Sequence, residues 1–295
     1  MDTGISTLVD LDLPMDELAP MIAAAGFNYI SLSHDVKHAG YHLPEGRERL
    51  LKLWDGLGLK LNYIHPPLEC YHDLTSLDQQ VRRSTIELMK LAMHATAELG
   101  GSSITIHIAN DMLIPDEQFP PRIAAGLESL KELLEFAGEV GVTLCQENLP
   151  GTFDAGRLSL EIIKATADWD GLKVCLDACH ATMQNPQALE FIAGIAPRIF
   201  TTHFSDTMGE EDSHLVPGEG NVDFPGIAGL MGKAGYTGVV DLECSVWMLR
   251  RRRERGQAHA DDPVPCGTEH YLERAQTAAA RIGEQIEEAR KQAGG

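Results

Sequence analysis

Six metal-capable side chains stand at the ends of six apolar runs, one to a run, and no other feature of this 295-residue chain constrains its fold so tightly. They are His65 after LKLNYI, His107 after SSITI, Glu147 in VTLCQEN, Asp177 closing LKVCLD, His203 closing IFTTH and Glu243 closing VVDLE. Successive members lie 26 to 42 residues apart, the length of a strand, a helix and a return loop. A chain that ends successive parallel strands in an imidazole or a carboxylate gathers those groups on one rim. Such groups bind divalent cations, which the bulky apolar residues around them cannot do.

Apolar runs of strand length alternate with helical-period segments from end to end. Strands are expected at 5–9, 29–33, 60–64, 103–108, 143–146, 173–176, 199–202 and 239–243. Several are continuously apolar and β-branched, as strands buried on both faces are. The intervening helices end in the usual glycines, at Gly26, Gly141 and Gly235, and at LGG after the long helix from Leu77 to about Leu99. A further long helix is expected after Thr268. Eight strands each followed by a helix, with no break in composition, predict an α/β fold. It is a single (β/α)₈ TIM barrel spanning residues 1–295 as one domain. An open doubly wound sheet would carry a Gly-rich phosphate loop after its first strand; VDLDLPMDEL is not one. The segments 206–222 and 247–267, after strands seven and eight, are longer than a barrel needs and leave from the face where barrels build their sites.

A formal net charge of −20 disfavours unaided attraction to nucleic acid or an anionic membrane. No stretch approaches the roughly 20 apolar residues of a membrane helix. The N-terminus MDTGISTLVDLDLP has neither the basic nor the apolar region of a secretory signal. The cysteines are Cys70, Cys145, Cys175, Cys179, Cys244 and Cys266; no CxxC pair occurs, Cys145 and Cys175 fall within expected strands and Cys244 directly follows one. Free thiols in a reducing cytoplasm are expected, without a disulfide framework. A run of arginines, 250–253, is the one basic cluster and reads as solvated surface or a subunit contact. An assembly of several copies is compatible with the sequence and not required by it.

Singly, each rim residue has an ordinary explanation. A lone His after a strand is commonly a hydrogen-bonded loop residue, and Asp177 before ACH is placed to cap a helix. Coincidence on six consecutive strands is what those explanations leave out. Glu147 and Glu243 lie on strands five and eight, so they face each other across the mouth. Two opposed carboxylates can take a proton from a carbon and return one to it, and Asp177 and His203 complete a carboxylate-rich set suited to manganese, magnesium, cobalt or zinc. His65, His107, His180, Asp212 and His214 form a second tier, which would grip substrate or hold a second metal. Asp212 and His214 would point to opposite faces of an extended segment unless the loop bends. His34, ending strand two, is a weaker candidate for the mouth.

The strings QEN, LDACH, THFSD, HLVPGEG and DLE, in this order, resemble the xylose-isomerase-like barrel superfamily, over almost the whole chain from Ile5 to Glu243. That superfamily holds sugar isomerases, ketose epimerases, inosose dehydratases and the AP endonuclease 2 (endonuclease IV) branch. In its epimerase-like members the matching residues, Glu147, Asp177, His203 and Glu243, would ligate one divalent metal, with Glu147 and Glu243 doubling as the acid/base pair. No organic cofactor is implied. The resemblance therefore implies a metal-dependent isomerase, epimerase or dehydratase acting on a small sugar or polyol-derived carbonyl compound, by proton transfer beside the carbonyl. Ketose epimerases usually carry an arginine in the loop after strand seven, and this loop has none. Conversely, His65, His107, Glu147, Asp177, His180, His203, Asp212, His214 and Glu243 all match the endonuclease IV trinuclear zinc pattern. The alternative is thus a zinc phosphodiesterase acting on abasic DNA. The Asn-Leu-Pro-Gly after Glu147 and the absence of a basic track for phosphates favour the sugar branch, with no nucleic-acid partner.

Overall fold

In a computed structural model, residues 1–68, 71–110, 113–258 and 263–294 are described. Cys70 and part of the segment 247–267 lie outside them. Eight strands follow in order: β1 (Thr3–Ser6), β2 (Tyr29–Leu32), β3 (Lys60–Ile64), β4 (Ser103–Ile106), β5 (Thr143–Glu147), β6 (Leu172–Asp177), β7 (Ile199–His203) and β8 (Val240–Leu242). Between and after them run α1 (Met15–Ala24), α2 (Val36–Ala39), α3 (Pro44–Leu57), α4 (Gln79–Glu98), α5 (Phe119–Val140), α6 (Asp154–Ala165), α7 (Ala178–Thr182), α8 (Ala188–Ile195), α9 (Phe224–Lys233), α10 (Val246–Glu254) and α11 (Thr268–Ala293). All neighbouring strands pair in parallel, in the order β7-β6-β5-β4-β3-β2-β1-β8. The ends of that row join through Phe204, whose N–H donates to Asp241 O at 3.0 Å and whose carbonyl accepts from Glu243 N at 3.1 Å. The α/β barrel expected from the strand count is the fold. Among the described residues, no helix is long and apolar enough to cross a membrane.

Two apolar shells hold it together. Strand residues such as Ile5, Ile30, Ile64, Ile104, Leu144 and Val174 are fully buried, and the helices lay Leu18, Leu50, Met93, Leu133 and Leu158 against them. Burying each such side chain contributes roughly 1.5–3 kcal/mol. The helix boundaries follow local chemistry. Asp78 accepts from Gln80 N at 2.8 Å to cap α4, and Gly141, at φ +73°, turns the chain out of α5.

Departures from the sequence expectation lie near the rim. The first strand was expected at 5–9. It ends at Ser6, because the Ser6 hydroxyl accepts from Leu8 N at 3.2 Å and starts a 3₁₀ turn over Thr7–Val9. The segment 247–267 is not wholly irregular: Ser245 caps α10 by accepting from Met248 N at 3.1 Å. The arginines of α10 give no amphipathic pattern, because acids on distant loops pair with them at the surface. Arg250 pairs with Asp10, Arg251 with Asp12 at 2.6 Å, and Arg252 with Glu211 at 3.2 Å. Arg250, Arg251 and Arg252 thus also fasten α10 to the loops after β1 and β7, while Arg253 is exposed as a solvated surface would have it.

The barrel also contains a polar layer below the rim. Asp241 Oδ2 accepts from Ser31 Oγ at 2.6 Å and Asn62 Nδ2 at 2.7 Å, and a Cβ on Gly4 would collide with that oxygen. Burial pushes the Asp241 carboxyl up to about 7, against the pull of those two donors. A folded-state pKa above the roughly 3.9 of an unfolded Asp means that the folded chain holds the proton more tightly. The contribution of Asp241 to stability is then greatest below about pH 4 and falls as pH rises toward about 7. Asp241→Asn should escape this decline. Urea unfolding should show the variant gaining on the wild type between about pH 5 and 7; a constant difference would remove Asp241 as the cause.

Candidate metal centre and active site

Strand register sets the depth of each donor. Asp177 pairs with His203, but Glu147 pairs with Cys175, two residues before Asp177 on the same face of β6. The stagger therefore sets Glu147 one pair deeper than Asp177 and His203, at the floor of the mouth. His65, His107 and Glu243 follow directly from β3, β4 and β8, and His65 N still donates to Leu32 O at 2.8 Å in line with the ladder.

Glu147 is the common partner. Its Oε2 lies 3.0 Å from His203 Nδ1, 3.3 Å from His107 Nε2 and 3.5 Å from His65 Nε2; its Oε1 lies 3.2 Å from His180 Nδ1. On the far side of His203, the same Nδ1 lies 3.2 Å from Glu243 Oε2. Asp177 is both cap and wall. Its Oδ1 accepts from His180 N at 2.7 Å and starts α7, which swings His180 toward the mouth, while Oδ2 is buried without a hydrogen-bond partner. The helix-capping role leaves Oδ2 turned to the donor set with Glu147, His203 and Glu243.

The loop 206–222 brings in the remaining two residues. Asp206 staples it, accepting from Thr207 N and Val222 N at 2.9 and 3.0 Å and from Gly218 N at 2.7 Å. His214 takes a left-handed φ of +48°, and this bend lets Asp212 and His214 meet. Asp212 Oδ2 is 3.0 Å from His214 Nε2 and 3.1 Å from His180 Nε2. The sequence reading had left these two on opposite faces unless the loop bent, and it bends. The loop carries no arginine, yet Arg252 reaches it from α10, donating to Ser213 Oγ at 3.3 Å.

The imidazoles are set in fixed tautomers. His65 Nδ1 lies 2.8 Å from Pro66 O, and His214 Nδ1 lies 2.6 Å from Glu243 O. His107 Nδ1 lies 3.1 Å from Asn110 Oδ1, whose amide donates to His72 O at 2.7 Å. Oxygens only accept here, so each Nδ1 carries a hydrogen, and each Nε2 offers a lone pair once any proton on it has left. Those lone pairs face carboxylate oxygens, acceptor against acceptor. Only a proton or a cation between them makes the arrangement favourable, and a backbone or amide oxygen behind the ring is how metal-binding histidines are oriented.

Charge compensation points the same way. Burial opposes ionisation of Glu147, yet His203 and His107 hold its carboxyl well below the usual range. Glu243 likewise falls to about 2 against burial, beside His203. Burial pushes Asp177 up to about 7, with His180 opposing and the Glu147 charge adding to the rise. Asp212 overcomes burial to raise His214 to about 9, and Asp177 and Asp212 hold His180 well above the ordinary value.

Among the described residues, three donor sets are close enough to hold an ion: His65, His107 and Glu147; Glu147, Cys175 and His203; and Glu147, Asp177, His203 and Glu243, each set with ligand atoms within 4.8 Å of one another. The buried oxygens Glu147 Oε1 and Oε2 and both His203 nitrogens have no hydrogen-bond partner. A divalent cation fits these residues. All nine rim residues singled out from the sequence come together, and His34 flanks them with its ring 6.3 Å from that of His65. Three supporting residues escaped notice. Asn148 locks β5 to β6, exchanging two 2.9 Å hydrogen bonds with the Asp177 backbone. Tyr63 lays its ring 4.9 Å from His203. Cys175 lies beneath Glu147. Counting back two residues from His65 and Asp177 would have found Tyr63 and Cys175 on the same inward face.

Comparison with known proteins extends these observations. An uncharacterised protein of Methanocaldococcus jannaschii is 27% identical over 250 residues, covering 82% of this chain and 83% of its own. Fructoselysine 3-epimerase of Escherichia coli O157:H7 is 25% identical over 181 residues, covering 60% of this chain and 64% of the epimerase. The crystal structure of the IolI protein with a bound zinc atom superposes with a TM-score of 0.78 at 15% identity, covering 97% of this chain and 99% of that one. A family model described as a xylose isomerase-like TIM barrel matches residues 20–260, the stretch that runs from α1 past every donor at the mouth, and the chain belongs to that family.

Proposed function

We propose that this enzyme is a divalent-metal-dependent isomerase or epimerase of a small sugar or polyol-derived carbonyl compound, with Glu147 and Glu243 as its acid/base pair. The observation that carries the reading is the pair of carboxylates flanking one imidazole nitrogen, at 3.0 and 3.2 Å, from strands on opposite sides of the barrel. Glu147, Asp177, His203 and Glu243 would hold the cation, of which manganese, zinc, cobalt and magnesium all suit the donors. When bound, the ion supplies positive charge that polarises a carbonyl and keeps both glutamates ionised. The protein does the rest. One glutamate removes the proton from the carbon beside the carbonyl, and its opposite number returns a proton to the other face or to the neighbouring carbon. Loss of a β-hydroxyl instead would give dehydration. The membership in the xylose isomerase-like family and the name of the fructoselysine epimerase support a sugar substrate.

Turnover of candidate ketoses in heavy water tests this reading directly. Solvent deuterium should enter the carbon next to the carbonyl. Product without it would demote the glutamates to ligands and favour a hydride shift. Residence in the cytoplasm as one domain agrees with the five described cysteines being free.

A second reading has its own support. His65 and His107 make a complete donor set with Glu147, and His180, Asp212 and His214 converge a few ångströms away, as a trinuclear zinc phosphodiesterase would require. Cleavage of an abasic duplex at low salt would favour it; the charge of −20 weighs against it. Either way, His180→Ala and His214→Ala should lower metal stoichiometry or turnover several-fold, with circular dichroism unchanged. Full activity and full metal content in both would return the two histidines to the loop.

A further inference from the structure

β5 and β6 pair along their length, yet the helices that follow them stand apart. α6 packs on α5 and α8 on α9, while between α6 and α8 the outer layer opens into a cleft of about 1100 Å³. Leu160 and Ile163 wall it on one side, Phe191 and Ile195 on the other. Its upper end abuts the mouth, since Asn148 and His180 line the cleft as well as the site. His180 is thus one side chain shared by two spaces, with Nδ1 3.2 Å from Glu147 and Nε2 3.1 Å from Asp212.

Two features keep the cleft open. Gly194, on the exposed face of α8, has nothing within 4 Å of where a Cβ would stand. A helix gains nothing from glycine there, whereas the empty space does. Gln184 forms the upper lip with a left-handed φ of +49°, and its N–H donates to Gly209 O at 3.2 Å. Such strain in a residue other than glycine persists where surrounding structure enforces it, often beside a ligand site. That bond ties the lip to the same loop that carries Asp212 and His214. A free monosaccharide would occupy only the polar mouth and leave these apolar walls uncovered.

We propose that the cleft receives an apolar alkyl or aryl substituent borne by the substrate, whose polar head lies at the barrel mouth. This rests on the carbonyl-sugar reading above and narrows its substrate class to sugars with an apolar appendage. The appendage would run from the mouth past His180 and lie between Leu160 and Phe191, where apolar area is removed from water.

Binding of 1-O-hexyl- and 1-O-methyl-D-fructose to the manganese-loaded protein, measured by calorimetry below the micelle threshold, compares one carbonyl head with two tails. Five additional methylenes, each half-buried, should tighten binding about 30-fold. Gly194→Phe fills the cleft without touching the mouth and should bring the two ligands within about twofold, while leaving turnover of an unsubstituted ketose unchanged. Leu160→Gln, which keeps the volume and places an amide on the wall, should reduce the advantage as well. A hexyl ligand that binds no tighter than methyl overturns the proposal, and so does an advantage that survives Gly194→Phe. Sedimentation supplies the remaining outcome: a wild-type dimer that Gly194→Phe converts to monomer assigns the cleft to a second copy of the chain and overturns it too. Heavy-water exchange at the mouth is read separately, so loss of the sugar reading and loss of the tail site give different results.

Discussion

Glu147→Gln should lower turnover by roughly 10²–10⁴-fold, the ordinary contribution of a positioned general base, and Glu243→Gln should do the same. Glutamine keeps the size and one oxygen donor and loses the charge and the proton-accepting carboxylate. The two variants should differ in how much else they disturb. Glu147 has His65, His107, His180 and His203 within 3.5 Å, whereas Glu243 has only His203 among the ion pairs described. Removing the charge of Glu147 takes the shared carboxylate from four imidazoles, so metal affinity should fall further there than in Glu243→Gln. Metal content measured in the same samples separates the effects. A metal-replete Gln variant with native turnover would strike that glutamate from the acid/base pair. Native enzyme that incorporates solvent deuterium, beside a metal-replete variant that does not, would support proton transfer through it.

The sequence carried the strand count and the rim donors because both depend on local pattern: buried parallel strands are continuously apolar, and a polar group that ends such a run is conspicuous. Depth was not legible. That Glu147 sits lower than Asp177 follows from the register Glu147–Cys175, a pairing between residues 28 positions apart that no local pattern encodes. The Asp212–His214 convergence likewise needed a left-handed His214, a conformation a sequence rarely announces outside glycine. The helix α10 was hidden because its arginines satisfy acids far away in sequence, Asp10 and Asp12, and so break the amphipathic period. The cleft between α6 and α8 is an absence of packing between two helices that are each amphipathic enough to suggest ordinary burial.

Metal addition should act on folding as strongly as on catalysis. In metal-free protein near neutral pH, His180 and His214 keep their protons, since Asp177 and Asp212 hold the first well above its ordinary value and Asp212 holds the second at about 9 against burial. A cation that takes an imidazole nitrogen must displace such a proton, so binding should release protons and strengthen as pH rises toward about 9. Calorimetry in two buffers of unlike ionisation enthalpy reads that release. Because the donors come from six strands and the 206–222 loop, an unfolded chain cannot assemble them, and binding energy becomes folding energy. At about 1,000 times the dissociation constant a ligand of the native state adds about 4 kcal/mol. For a chain of this length that should raise Tm by about 6 °C. Manganese and zinc should each do this in wild type, and Asp177→Asn should blunt it, since Asp177 Oδ2 is a buried carboxylate oxygen without a hydrogen-bond partner in a four-residue donor set. A Tm that ignores both metals, with no proton release and no metal retained after dialysis, would leave the acceptor-against-acceptor contacts to be bridged by protons alone and would remove the cation from the mechanism.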